Sequence, residues 1–291
     1  MQISLFGSDD SRSQPKVVNV AKVPQRSPFR YPGGKTWLVP TVRRWLSSLP
    51  HPPRLFIEPF AGGGIVSLTV AFEGLADHVL MVELDKQVGA VWQTVLNGKA
   101  QWLADRIMQF DLTLDHAKEV LAEEASTTHE RAFQTILKNR IVRGGIMANG
   151  SGFMKTGENG KGIASRWYPK TLKTRIEAIA MHQHQIDFVL GDAFETMQDY
   201  LDREDVCFFI DPPYTVAGRR LYAHHELDHS RLFQLASRVK GPILMSYDDT
   251  EDVRDLAERH ELAHDRIPMK TTHHQQKYER LIGRNLSWLA G

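Results

Sequence analysis

Arg54-Leu-Phe-Ile57 runs into Glu58-Pro-Phe-Ala-Gly-Gly-Gly64, and Ile65-Val-Ser-Leu-Thr-Val-Ala-Phe72 follows at once. The short apolar run predicts a strand, the glycines a tight turn, and the residues after them a helix. A strand that turns through glycines into a helix opens an α/β unit with a parallel sheet. The pattern repeats: His78-Val-Leu-Met-Val82 predicts a strand and 86–96 a helix. Later strands are expected at 186–190, 206–210 and 243–246, with helices at 230–239 and 250–260. The fold class is therefore α/β, with one sheet whose two halves, 28–103 and 186–291, are separated in sequence.

Residues 104–185 interrupt the alternation. They carry helical periodicity to Arg143, a glycine-rich loop over 144–162 and a last helix after Pro169, which predicts a mostly helical insert. Within it, 138–175 contain nine basic residues and one acid, Glu158. The whole chain is nearly neutral, with 36 Lys and Arg against 35 Asp and Glu over 291 residues, so its positive charge is local. Residues 1–27 are rich in Ser, Gln, Pro and charge and lack any period, which reads as a flexible leader. A single cysteine, Cys207, excludes a disulfide scaffold and a cysteine zinc site and suits a reducing, cytoplasmic compartment. The most apolar stretch, 55–82, is broken by Glu58, Glu73 and Asp77, so no membrane span is expected.

Two turns carry chemistry. Glycines between strand and helix let a ligand approach the backbone, and Glu83 and Asp85 stand about 20 residues on, where an acid meets ribose hydroxyls. A nucleoside cofactor fits this pattern. NAD is the weaker option, because the third glycine of the dinucleotide fingerprint would fall at Ser67. Asp211-Pro-Pro-Tyr214 directly follows the apolar run 206–210, at the carboxyl end of a buried strand. Asp211 offers an acceptor and Tyr214 a flat face, a pair suited to a planar aromatic amine. Upstream, Phe29-Arg-Tyr-Pro-Gly-Gly-Lys35 sets a turn and a cation before the first strand.

Together these three motifs resemble, in order, the aromatic-x-Gly-Gly-Lys, Glu-Pro-Phe-x-Gly-x-Gly and Asp-Pro-Pro-Tyr motifs of Dam-type DNA adenine N6-methyltransferases. The resemblance spans about 28–286. It implies a Rossmann-like S-adenosylmethionine-dependent methyltransferase sheet, with 104–185 as target-recognition module. It places Tyr31, Lys35, Glu58, Phe60, Gly62, Gly64, Glu83, Asp192 and Asp211 with the cofactor. Glu83 takes the ribose hydroxyls, where the family often has Asp, and Asp192 lies near the adenine. Asp211, Pro212 and Tyr214 form the catalytic set: Asp211 on the target amino group, Tyr214 stacked on a base flipped out of the duplex. Cytosine C5 chemistry would need a nucleophilic thiol, whereas Cys207 sits in an apolar run and reads as core.

Double-stranded DNA is the expected partner. Arg140, Arg143, Asn149, Lys155, Arg166 and Lys170 are its candidate contacts, to phosphates and base edges. RNA as substrate and a non-catalytic DNA-binding relative remain as alternatives, the latter opposed by the intact Lys35 and Asp-Pro-Pro-Tyr. A restriction-modification, orphan or phage role is equally compatible, as is action as a monomer or weak dimer on nucleoid DNA. Gln2-Ile-Ser-Leu-Phe6 resembles the peptide by which bacterial replication proteins dock on the sliding clamp. The histidines His182, His184, His224, His225, His273 and His274 lack accompanying ligand spacing, so no metal is expected.

Overall fold

The computed structural model describes residues 20–30, 34–145, 147, 151–213, 227–270 and 276–290. One mixed sheet contains β1 (Leu55–Glu58), β2 (His78–Glu83), β3 (Ile186–Leu190), β4 (Val206–Ile210), β5 (Ile243–Asp248), β6 (Ala263–Lys270) and β7 (Gln276–Gly283). Their order across it is β3-β2-β1-β4-β5-β7-β6. The first five are parallel, and β7 runs antiparallel to both β5 and β6. After β1 the chain builds outward through β2 and β3, then returns to lay β4 on β1's other side. That reversal opens a crevice at the carboxyl ends of β1 and β4, where α/β sheets of this kind hold ligands.

Strand alternation explains the layers. Phe56, Val79, Met81, Cys207, Phe209 and Leu244 face one core. Ile57, Leu80, Val82, Phe208, Ile210 and Met245 face the other. The first core is covered by α1 (Val39–Ser47), α2 (Ile65–Phe72), α3 (Lys86–Leu96), α4 (Ala100–Gln109), α5 (Leu114–Ala122), α6 (Thr128–Ile141) and α7 (Pro169–Met181). The second is covered by α8 (Ala193–Asp199), α9 (His229–Arg238) and α10 (Glu251–Arg259). Covered on both faces, β4 is apolar throughout, and Val206, Cys207, Phe208, Phe209 and Ile210 are all fully buried. Each large side chain of that strand contributes roughly 1.5–3 kcal/mol of burial.

Three features were not visible in the sequence. Among the described residues α4, α6 and α7 share one core with α1–α3, and residue 104 falls inside α4, in its buried stripe of Ala100, Leu103, Ala104 and Ile107. The described end of the expected leader is packed. Val23 is buried, Arg26 pairs with Glu73 at 2.9 Å, and Ser27 Oγ donates to the Gly63 carbonyl at 2.5 Å. Finally, the β6–β7 hairpin completes the sheet, although its charged, proline-containing sequence shows no strand signal. Pro268 is tolerated because β6 is an edge strand with one neighbour.

Candidate functional site

The glycine turn is built around close contacts that exclude side chains. Gly62 and Gly64 adopt φ of 47° and 63°, and Gly64 is the N-cap of α2. A Cβ on Gly64 would lie 2.5 Å from Met81 Cε and 3.0 Å from the Trp92 ring, whose Nε1 donates to the Gly62 carbonyl at 2.9 Å. Two carboxylates hold the turn from below. Glu58, the last residue of β1, is buried and accepts from the Ser67 N–H at 2.9 Å. Glu83, the last residue of β2, accepts from the Gly62 N–H at 2.9 Å and from the Leu84 and Asp85 N–H groups at 2.8 Å. Asp85 caps α3 through Oδ1, which receives the Gln87 N–H at 2.7 Å.

Burial pushes the Glu58 carboxyl up to about 8 and that of Glu83 up to about 7, against the hydrogen bonds that oppose it. For Glu58 this sets a sign. Its contribution to stability is complete below the ordinary value of 4.5 and is lost as pH rises through about 8. The ligand-free protein should therefore lose stability between about pH 5 and pH 9, and Glu58→Gln, which keeps an acceptor for Ser67, should remove up to about 4 kcal/mol of that loss. Denaturant unfolding across this range checks it; a Gln variant with the wild-type pH dependence contradicts it.

Asp211 leaves the carboxyl end of β4 beside Lys35, which opens the short 3-10 helix Lys35–Leu38. Lys35 Nζ lies 3.0 Å from Asp211 Oδ1 and 3.5 Å from Glu279 Oε2, and Ser246 Oγ donates to Asp211 Oδ1 at 2.8 Å. Lys35 is only 3% exposed. Burial alone would lower its pKa, but the Asp211 and Glu279 carboxylates outweigh it and hold the ammonium above the ordinary lysine value. The result is a charged, fixed triad in which Lys35 and Ser246 jointly orient the Asp211 carboxylate.

Lys35, Glu58, Phe60, Gly62, Gly64, Glu83, Asp192 and Asp211 all line a single cavity of about 440 Å³ at the crevice. Asp192 is the N-cap of α8, accepting from the Phe194 N–H at 2.6 Å. Pro212 is buried immediately after Asp211, and Pro213 reaches the cavity wall. Tyr31, Asn149, Tyr214, the peptide Gln2 to Phe6, and His224, His225, His273 and His274 lie outside the described residues. Among the described residues no group of three or more His, Cys, Asp or Glu is arranged to hold a metal ion, and no helix is long and apolar enough to cross a membrane.

The basic candidates divide. Arg143, Lys155 and Lys170 are exposed and Arg166 is half-buried, on the loop between α6 and α7 or at its ends. That loop is closed by hydrogen bonds from the Arg143 N–H to the Gly152 carbonyl at 3.0 Å and from the Met154 N–H to the Ile141 carbonyl at 2.9 Å. Arg140, unlike the other described candidates, is buried. It is 5% exposed, lines the cavity and donates through Nη2 to the Pro28 carbonyl. The cause is its neighbour Asn139, which bonds both the N–H and the carbonyl of Arg30 at 2.8 and 2.9 Å and so draws this side of α6 against residues 28–30. Glu279 and Ser246 escaped sequence reading, and Asn139 and Arg175 were read only as members of the recognition stretch. None stands in a glycine or proline turn, and each acts on a group 35 or more residues away.

A family model for the D12 class N6 adenine-specific DNA methyltransferases matches residues 31–273. No curated protein matches the chain. Similar solved structures include a candidate RNA methyltransferase of Pyrococcus horikoshii, 11% identical, covering 94% of this chain and 89% of its own, with a TM-score of 0.39. A precorrin-6y C5,15-methyltransferase of Geobacter metallireducens is 11% identical, covering 95% and 96%, with a TM-score of 0.36. The rRNA methyltransferase AviRa of Streptomyces viridochromogenes is 12% identical, covering 84% and 82%, with a TM-score of 0.37. The family match includes Lys35, the glycine turn and Asp211, the residues that meet in the cavity. This chain is an enzyme that belongs to the D12 class N6 adenine-specific DNA methyltransferase family.

Proposed function

We propose that the chain is a Dam-type, site-specific methyltransferase that uses S-adenosylmethionine to methylate N6 of an adenine flipped out of double-stranded DNA. One observation carries this reading: Asp211 opens on the same cavity as the glycine turn and Glu83. The residues fit the cofactor. About 440 Å³ lies within the range of small-molecule sites, and the turn is bare of side chains where an elongated ligand must pass. Glu83 uses three of a carboxylate's roughly four acceptor positions on backbone N–H groups, leaving capacity for a ribose hydroxyl. Asp192 and Phe194 would border the adenine. Bound there, the cofactor supplies an electrophilic methyl group on a sulfonium.

The protein's task is positioning. Adenine N6 is a poor nucleophile because its lone pair is delocalised into the ring. Asp211, accepting one N–H of that amine, and the Pro212 carbonyl, accepting the other, turn the lone pair out of the ring and toward the cavity. Lys35 and Ser246 fix the Asp211 carboxylate for that role. Tyr214 stacks on the extruded base and offsets part of the few kcal/mol of unstacking. This chemistry requires no covalent enzyme intermediate.

Arg143, Lys155, Arg166 and Lys170 neutralise phosphates, and Asn149 reaches base edges. Replacing both Arg143 and Lys170 by Ala should reduce the slope of log affinity against log salt by about 2, and an unchanged slope removes them from the interface. The reaction itself is tested with unmethylated genomic DNA and S-adenosylmethionine, by mass spectrometry of the digested nucleosides. N6-methyladenine is the expected product. Its absence from protein that binds the cofactor overturns the reading.

A further inference from the structure

Arg140 of α6 and Arg175 of α7 stand together in the cavity wall. Arg175 Nη1 donates to the Ser27 carbonyl at 2.9 Å, and Arg140 Nη2 donates to the carbonyl of Pro28. Ser27 in turn donates to Gly63, so both guanidinium groups are held at the glycine-turn end of the cavity. Their charge has no counter-ion among the described residues. Among the described residues neither forms an ion pair; Arg175, Arg30 and Arg166 press on Arg140 with like charge, and the Tyr168 side chain is the one opposing group beside them. Arg140 is 5% exposed, and its Nε is buried without a hydrogen-bond partner. Burying one guanidinium beside others is strongly unfavourable unless an anion joins them. Both arginines line the cavity, so an anion bound there can reach them.

We propose that Arg140 and Arg175 form a clamp for the α-carboxylate of the cofactor's methionine moiety. This inference rests on the S-adenosylmethionine reading above and extends it to residues of the recognition helices. The geometry orients the ligand: the Gly191 N–H bonds to the Glu83 carbonyl beside Asp192, Glu83 holds Gly62, and Gly63 leads through Ser27 to Arg175, so on the cofactor reading the ribose and adenine lie at the Glu83–Asp192 end and the arginines at the other. S-adenosylmethionine carries its single carboxylate at the end opposite its adenine. A planar guanidinium pairs with a carboxylate through parallel N–H donors, a match that the compact ammonium of lysine does not make.

Equilibrium binding of S-adenosylmethionine and of its decarboxylated analogue, to wild type, Arg175→Gln and Arg140→Lys, tests the clamp. Wild type should bind the carboxylate-bearing ligand roughly 10- to 100-fold more tightly than the analogue. Arg175→Gln should lose about tenfold or more for S-adenosylmethionine while changing less than about twofold for the analogue. Arg140→Lys, which keeps a cation in the wall, should lose part of the same margin. Equal weakening of both ligands, or unchanged cofactor binding with weakened DNA binding, overturns the proposal; the second result assigns the pair to a DNA phosphate. Wild type that binds neither ligand overturns the cofactor reading together with the clamp.

Discussion

Asp211→Ala should lower methyl transfer to DNA by about 10³-fold, with cofactor affinity changed by less than about tenfold. The proposed role of this carboxylate, reorienting an amine lone pair, is one that no neighbouring group can assume. Ser246 is a hydroxyl that already donates to Asp211, Lys35 is a cation, and Glu279 is buried behind Lys35. The variant also leaves Lys35 with Glu279 alone, 3.5 Å away, in a buried environment. Breaking a buried pair from one side costs roughly 3 kcal/mol, so a lower Tm should accompany the lost rate. Single-turnover transfer followed by nucleoside mass spectrometry separates the two effects, since it reads the step after binding. A rate loss below about tenfold would assign the orientation of the amine to another group.

Gly64→Val should cost about 2–4 kcal/mol and abolish tight cofactor binding. Part of the cost is backbone: a φ of 63° places a β-branched residue in the left-handed region, at about 1–2 kcal/mol. The rest is packing, because the new Cβ meets Met81 Cε at 2.5 Å and the Trp92 ring at 3.0 Å. Met81 can yield, but Trp92 is fully buried and tied to Gly62 through Nε1, so the turn itself must move. Gly74 is the control. It has a φ of 60° with nothing within 4 Å of a built Cβ, so Gly74→Ala should show backbone strain alone, about 1 kcal/mol, with binding intact. Equal effects at the two positions would show that the crowding at Gly64 is relieved without cost.

Much of the architecture was legible from short segments. The predicted strands at 78–82, 186–190, 206–210 and 243–246 lie within β2, β3, β4 and β5; the buried parallel strands β2, β4 and β5 are apolar runs that need no partner to be visible, and β3 shows as an apolar run although it is a largely exposed edge strand. The hairpin was not legible. Pro268, and a β7 that carries Glu279 and Arg280 side by side, look solvated, and only the pairing of Asp248 with Glu279 in the β5–β7 register places that acid beside Lys35. The burial of Arg140 was not legible for a related reason. A basic residue in a basic stretch reads as surface, and nothing within α6 shows that residues 28–30 fold back across it.

The sequence by itself determined the α/β alternation, the glycine turn after β1 and the placing of Asp211 after the apolar strand β4. These follow from the strand and helix periods and from turn chemistry, which act over a few neighbouring residues. Tertiary structure alone decided that Lys35 lies between Asp211 and Glu279, 176 and 244 positions further along the chain, and that Arg140 and Arg175 face the cavity. Ion pairs and burial depend on distance in space, and a charged side chain carries no local mark of the partner that folding brings to it.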